Sequence, residues 1–264
     1  MTEGRHRQAV RAAFDRAAPT YDQAAAVQRE ICALLAGLAA DHLPQGPLHR
    51  VLDAGCGTGF GLAHLRRLCP EAACLAVDFA PAMLARLPEH PQPVCADLEA
   101  LPLTAGAVDA VWSSLALQWC VPHRALAELA RVLRPGGRAW IATLGPRTLW
   151  ELRAAFAQVD RAEHVIPFHA LQEWTMAATA AGLGIAASQQ QDAFASAPGL
   201  RPLLRDIKAI GAHQVGPGRR RQPMGKSAWL RLEQAYEAHR GADGQLPATY
   251  DVILLALAKP ENPP

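Results

Sequence analysis

No C-x-x-C pair occurs anywhere in the 264 residues, although six cysteines are present, at positions 32, 56, 69, 74, 95 and 120. Structural zinc sites draw on closely paired thiolates, so this absence speaks against a metal site and against a disulfide framework. Several of the cysteines sit inside apolar, strand-like segments. The expectation is reduced, mostly buried thiols in a cytoplasmic protein, with no metal. Long apolar runs are missing too. Arg, Glu, Asp or His interrupts each one before it reaches the length of a membrane span. The N-terminal stretch MTEGRHRQAV has basic residues but no apolar segment behind them, which does not read as a secretory signal. An excess of charge of one sign is missing as well. Lys and Arg total 26 against 24 Asp and Glu, a formal net charge of +2, and that implies no polyelectrolyte partner. Three tyrosines and six phenylalanines offer little stacking surface for nucleic acid.

Hydrophobic residues, in contrast, make up 50% of the chain, enough for one large domain or one domain with a sizeable insertion. Residues 5–42 read as helical with a break at Pro19. From residue 50 onward strands and helices alternate. Strands are expected at 50–54, 73–77, 93–97, 107–114 and 138–145, with helices at 60–68, 81–87 and 123–133 between them. The PGG at 135–137 reads as the stop of the last of these helices. Beyond Gly145, amphipathic helices at 148–160 and 170–182 precede a strand at 183–194. Residues 196–245 read as helices broken by the loop GPGRRRQPMGK at 216–226, and a last strand runs over 249–259. The alternation implies an α/β fold with a mostly parallel sheet and helices on both faces. The two late strands suggest a terminal antiparallel hairpin with a helical cap between its arms. The expected divisions are an N-terminal helical segment at 1–45, an α/β core at 46–195, a cap at 196–245, and a last core strand and tail at 246–264.

Open α/β sheets bind ligands at the carboxyl ends of their strands. The first expected strand ends in Asp53, followed by Gly55, Gly57 and Gly59 at alternate positions, with Gly61 continuing the spacing. Glycine there points to positive-φ geometry or a close backbone approach. Asp78 ends the second strand, 25 residues after Asp53, where a carboxylate is placed to accept both hydroxyls of a ribose. Asp97 follows the third strand and SSLALQWC, at 113–120, follows the fourth. The dinucleotide fingerprint G-x-G-x-x-G needs a glycine where Phe60 stands, and no G-K-[ST] follows the glycines, so a P-loop is excluded. Asp78 or Asp97 alone would serve equally as a helix N-cap.

The ordered set D-x-G-x-G-x-G, an acid after the second strand and A-D after the third resembles the class I methyltransferases that use S-adenosylmethionine. The resemblance covers about 50–145 and implies a Rossmann-like sheet. It implies that Asp53, Ala54, Gly55, Gly57 and Gly59 approach the methionine and ribose portions of that cofactor. Asp78, with Phe79 beside it, would hold the ribose hydroxyls, and Asp97 would accept from the adenine amino group next to Leu98. Leu115 and Trp119 would flank the methionine tail. The flanks extend the likeness. FDRAAPTYDQAAAVQ, SSLALQWC, ATLGPRTLWELRAAFAQVD, LRDIKAIGAHQV and PATYDVILLALAK together resemble the malonyl-[acyl-carrier protein] O-methyltransferases of biotin synthesis over nearly the whole chain.

That resemblance implies a malonyl-bearing acyl-carrier protein as substrate, with malonyl-CoA as a second thioester, and neither nucleic acid nor membrane as a partner. It also implies a methyl ester as product. The malonyl carboxylate is ionised at neutral pH and needs no general base. A desolvated carboxylate does need a cation, for which Arg147 and Arg153 are the candidates and Lys208 a third. Tyr21, after the helix break, would close over the cofactor. Arg219, Arg220 and Arg221, together with Arg201, Arg205, Lys208 and Lys226, form a basic concentration suited to an acidic carrier protein. Two further readings stay open on the residues alone. One is a cofactor-binding scaffold without catalysis, and the other a methyltransferase of another small acid or a quinone precursor.

Overall fold

A computed structural model describes residues 3–88, 92–210 and 224–261. Its helices are α1 (Glu3–Ala17), α2 (Tyr21–Ala24), α3 (Ala26–Asp41), α4 (Phe60–Leu68), α5 (Pro81–Leu84), α6 (Pro122–Val132), α7 (Trp150–Ala157), α8 (Leu171–Ala180), α9 (Leu200–Ala209) and α10 (Lys226–Glu237). Its strands are β1 (Arg50–Ala54), β2 (Ala73–Asp78), β3 (Gln92–Cys95), β4 (Val108–Ser114), β5 (Leu133–Leu144), β6 (Gly184–Ala197) and β7 (Leu246–Ala258). The sheet has seven strands in the order β3-β2-β1-β4-β5-β7-β6. β1 to β5 pair in parallel, while β7 runs antiparallel to β5 with Arg138 opposite Ala258 and Leu144 opposite Val252. Order reverses between β1 and β4, so the carboxyl ends of β1, β2 and β4 flank the switch point.

The apolar runs explain this sheet. Val51, Leu52, Val108, Ala110, Val111, Ile253, Leu254 and Leu255 are all at most 1% exposed, as expected of strands covered on both faces. α6 buries Ala125, Leu126, Leu129 and Ala130, a stripe at helical spacing, and its Pro122 sits in the first turn, where a missing N–H costs nothing.

Three local expectations change. The PGG at 135–137 is not a helix stop between elements, because α6 ends at Val132 and the three residues lie inside β5. Gly136 has φ +77°, and a Cβ on Gly137 would fall 2.9 Å from the carbonyl oxygens of Arg134 and Asp109. The β4–β5 register is irregular between Val108 and Ala110, so the glycines form a bulge rather than a turn. Asp109 holds that region in place. It accepts backbone N–H bonds from His49 and Arg50, each 2.7 Å, and pairs with Arg134. The third strand ends at Cys95, two residues before Asp97, and the helix after β2 ends at Leu84, three residues before the expected Leu87.

The chain divides into two compact units. One comprises Met1–Val27, Pro146–Phe168 and Asp192–Asp251, and the other Gln28–Gly145, His169–Gln191 and Val252–Pro264. In the first unit Glu151, 1% exposed, accepts the backbone N–H of Thr249 at 3.2 Å and also the Thr249 hydroxyl. Tyr236 donates to the Pro247 carbonyl at 2.8 Å, and the Arg201 guanidinium lies 4.3 Å over the Trp229 ring. The core of the second unit gathers Leu52, Val77, Val111, Leu126, Leu129 and Ile141, with Trp174 from α8.

Candidate active site

The loop after β1 is tied to β2 at its root, since the N–H groups of Gly55 and Cys56 both donate to the Val77 carbonyl, at 2.7 and 2.9 Å. Gly55, Gly57 and Gly59 have φ of +79°, +54° and +96°. The conformational reason for glycine therefore holds at all three positions. The steric reason differs between them. A Cβ on Gly55 would overlap the Ala116 Cβ, and one on Gly59 would press on Leu62, Leu87 and Pro88 at 3.0–3.1 Å. On Gly61, which is helical, it would lie 2.7 Å from both Asp53 Oδ2 and Trp112 Nε1. On Gly57 it would meet nothing within 4 Å among the described residues. Three of the four glycines admit the protein's own side chains, and Gly57 alone leaves an open backbone face.

Asp78 is 8% exposed. Its Oδ2 accepts the Gly57 N–H at 2.9 Å and its Oδ1 accepts the Ala80 N–H at 2.8 Å. Asp78 is not the cap of α5, whose N-cap is Ala80, so its carboxylate closes a turn ahead of the helix rather than capping it. Phe79 follows, half-buried, and its carbonyl lies 3.7 Å from the Cys95 thiol. Asp97 Oδ1 accepts the Glu99 N–H at 2.9 Å, beside Leu98, which is 7% exposed.

After β4 the chain enters a strained turn. Leu115 has φ +55°, rare for a side-chain-bearing residue and costing about 1–3 kcal/mol. Its N–H donates to the Ala142 carbonyl at 2.8 Å, and its carbonyl accepts from Gln118 Nε2 at 2.7 Å. These bonds hold Ala116 against Gly55. Trp119 ends the single 3-10 turn Leu117–Trp119, half-buried. Glu99, which sequence reasoning passed over, accepts the Val121 N–H at 2.7 Å and so ties the Asp97 loop to the turn after Trp119. Neither Ala116, inside SSLALQWC, nor Glu99 is among the site residues that the sequence singles out. Their roles arise from contacts across loops distant in sequence.

Asp53 and Ala54 lie beneath this loop. Asp53 is 2% exposed and its Oδ2 has no hydrogen-bond partner among the described residues, nor has the indole N–H of Trp112 opposite it on β4. Burial, and then the negative charge of Asp78, push the Asp53 carboxyl up to about 8. Burial also raises the Cys32 thiol to about 12, with Asp53 adding to the effect.

The residues from Asp53 to Trp119 expected to face a cofactor thus lie within one unit, around the ends of β1, β2, β3 and β4. Tyr21, Arg147 and Arg153 belong to the other unit. Tyr21 opens α2, whose neighbour is α9. Arg153 donates to the carbonyls of Thr148 and Pro146, and burial lowers its pKa. Arg147 donates its backbone N–H to Asp251 at 3.0 Å and its guanidinium to Asp192. Arg201 on α9 pairs with Glu233 on α10 at 3.7 Å, and Arg205 pairs with Asp206 at 3.5 Å within α9. Arg219, Arg220 and Arg221 lie outside the described residues.

Comparison with known proteins gives this arrangement a context. A methyltransferase-domain family model matches residues 52–141, the segment that carries the glycine loop and the three acids. Among solved structures, a geranyl diphosphate C-methyltransferase from Streptomyces coelicolor A3(2) matches with TM-score 0.52 and 18% identity over 86% of this chain and 79% of its own. The [4+2]-cyclase SpnF matches with TM-score 0.54 and 22% identity over 86% and 81%. A methyltransferase and a cyclase on one scaffold show the fold alone, not the reaction. Curated sequences are far closer. Proteins named malonyl-[acyl-carrier protein] O-methyltransferase from Laribacter hongkongensis (strain HLHK9) and Dechloromonas aromatica (strain RCB) are each 47% identical to this chain, over 92% and 95% of it and 86% and 94% of their own lengths. Similarity of that extent, over more than nine-tenths of this chain, shows that the chain belongs to the malonyl-[acyl-carrier protein] O-methyltransferase family.

Proposed function

We infer that the protein is a carboxyl O-methyltransferase that uses S-adenosylmethionine to convert the free carboxylate of malonyl-[acyl-carrier protein] to its methyl ester in biotin synthesis. The near full-length similarity to relatives named for this reaction is the observation that carries it. The residues fit the cofactor. Gly57 leaves an open backbone face where a nucleoside can lie, and the Asp78 carboxylate stands beside it. Asp97 and Leu98 suit an adenine edge and face, and Leu115 and Trp119 suit the amino-acid tail. When bound, S-adenosylmethionine supplies an electrophilic methyl on a sulfonium, which a carboxylate oxygen takes while a neutral thioether departs.

The chain's own task is then positioning. A malonyl carboxylate is ionised without help, so no side chain has to remove a proton. A cation must hold the carboxylate in line, and water must be kept out. Arg147 is the stronger candidate for that cation. Arg153 already braces the connection after β5 through two carbonyls, whereas the Arg147 guanidinium is 64% exposed and held by a single carboxylate. Lys208 on α9 is the reserve, and Tyr21 covers the cofactor in this reading. The basic residues of α9 and of 219–221 would meet the acidic carrier protein, and malonyl-CoA would present the same carboxylate without that contact. Incubation of the purified protein with labelled cofactor tests the reading. Malonyl-carrier protein should gain one methyl and acetyl-carrier protein, which lacks the free carboxylate, none. Equal transfer to both would overturn it.

A further inference from the structure

β6 has one charged residue in its 14, GIAASQQQDAFASA, and that residue is Asp192. Its carboxylate meets the guanidinium of Arg147, the candidate anchor for the substrate's carboxylate. The two side chains are 28% and 64% exposed, so the pair stands in reach of solvent and of a ligand. Arg147 is also pinned at its backbone, because its N–H donates to Asp251 Oδ2 at 3.0 Å while the Asp251 N–H donates to the Thr148 hydroxyl oxygen at 3.1 Å. The Cα is therefore held and the guanidinium is left to turn.

We propose that Asp192 is a positioning residue that occupies the Arg147 guanidinium in place of the substrate's carboxylate and releases it when the malonyl group arrives. The proposal rests on the functional reading above. A carboxylate on a guanidinium is chemically the same contact whether Asp192 or malonate supplies it, so the exchange trades like for like. An exposed ion pair is weak, which keeps the trade accessible. The methyl ester carries no charge and cannot hold the guanidinium, so Asp192 reclaims Arg147 once the methyl is transferred. The cycle thereby favours the free acid over the ester, the discrimination that a carboxyl methyltransferase requires. No covalent bond or proton moves in this step.

A double-mutant cycle on steady-state methylation of malonyl-CoA tests it. Asp192→Asn should lower KM about two- to fivefold, the fold-change that matches the strength of an exposed pair, with a smaller effect on kcat. Asp192→Glu should restore the wild-type KM, because the carboxylate is back. Arg147→Ala should raise KM, and adding Asp192→Asn to it should change nothing further. A drop in KM of the same size in the Arg147→Ala background would make Asp192 a general surface charge and overturn the proposal. An unchanged KM for Asp192→Asn, or for Arg147→Ala, would overturn it too. Failure of the wild-type chain to methylate any malonyl thioester would overturn the functional reading itself, which separates the two.

Discussion

The Cβ of Ala116 occupies the space in which a side chain on Gly55 would begin. The first glycine of the loop is thus required by the turn after β4, held in place through the strained Leu115, and the loop's openness to a ligand is left to Gly57.

Gly55→Ala should therefore fail by a different route from Gly57→Ala. The first adds steric overlap to a positive φ and should cost at least about 2–3 kcal/mol of stability. The second meets open space and should cost about 1–2 kcal/mol from backbone strain alone. Denaturant unfolding gives the stabilities, and calorimetry with S-adenosylhomocysteine should show Gly57→Ala losing more affinity than its small stability loss explains. Equal stability losses would mean that the Ala116 contact does not matter.

Asp78→Ala should remove the carboxylate that receives both Gly57 and Ala80. Affinity for S-adenosylhomocysteine should fall by about 1.5–3 kcal/mol, as for lost bonds to a charged group. Asp109→Ala is the matching control. It strips the partner from the His49 and Arg50 N–H groups and should lower the unfolding midpoint by a comparable amount. Cofactor affinity of the folded Asp109→Ala protein should be unchanged.

Asp53 should give stability an alkaline slope. Its folded-state carboxyl is raised from 3.8 to about 8, so the native protein binds a proton that the unfolded chain has released. The contribution is fully present below about pH 4 and is lost as pH rises through about 8. Urea unfolding of the wild-type chain should show stability falling between about pH 6 and about pH 8 more steeply than in Asp53→Asn. Parallel slopes would place Asp53 as an ordinary ionised acid.

Methyl transfer itself should be indifferent to pH. A carboxylate nucleophile stays ionised from about pH 6 to about pH 7.5, below the ionisation of Asp53. Single-turnover rates at saturating cofactor and malonyl-CoA should vary less than about twofold across that range. A slope of one proton would require a general base that the proposed mechanism omits.

Much of this protein was legible in the sequence, for physical reasons that are local. Apolar runs long enough for one strand, alternating with amphipathic helical stripes, fixed the parallel sheet, because a buried parallel strand needs apolar residues on both faces. The placement of Asp53, Asp78 and Asp97 at or just past strand ends was legible from the strand pattern, and so were the glycines, because positive φ is a single-residue property. What the residues could not tell was decided by contacts between segments far apart in the chain. The PGG at 135–137 has turn composition, yet it bulges inside β5 because β4 and Asp109 lie against it. Gly55 looks like Gly57 until Ala116, 61 residues on, fills its space. Arg147 and Arg153 are indistinguishable as letters, six apart, one before α7 and one within it. Only the tertiary structure gives one to two main-chain carbonyls and the other to Asp192, because a hydrogen-bond partner is a matter of position in space and not of sequence.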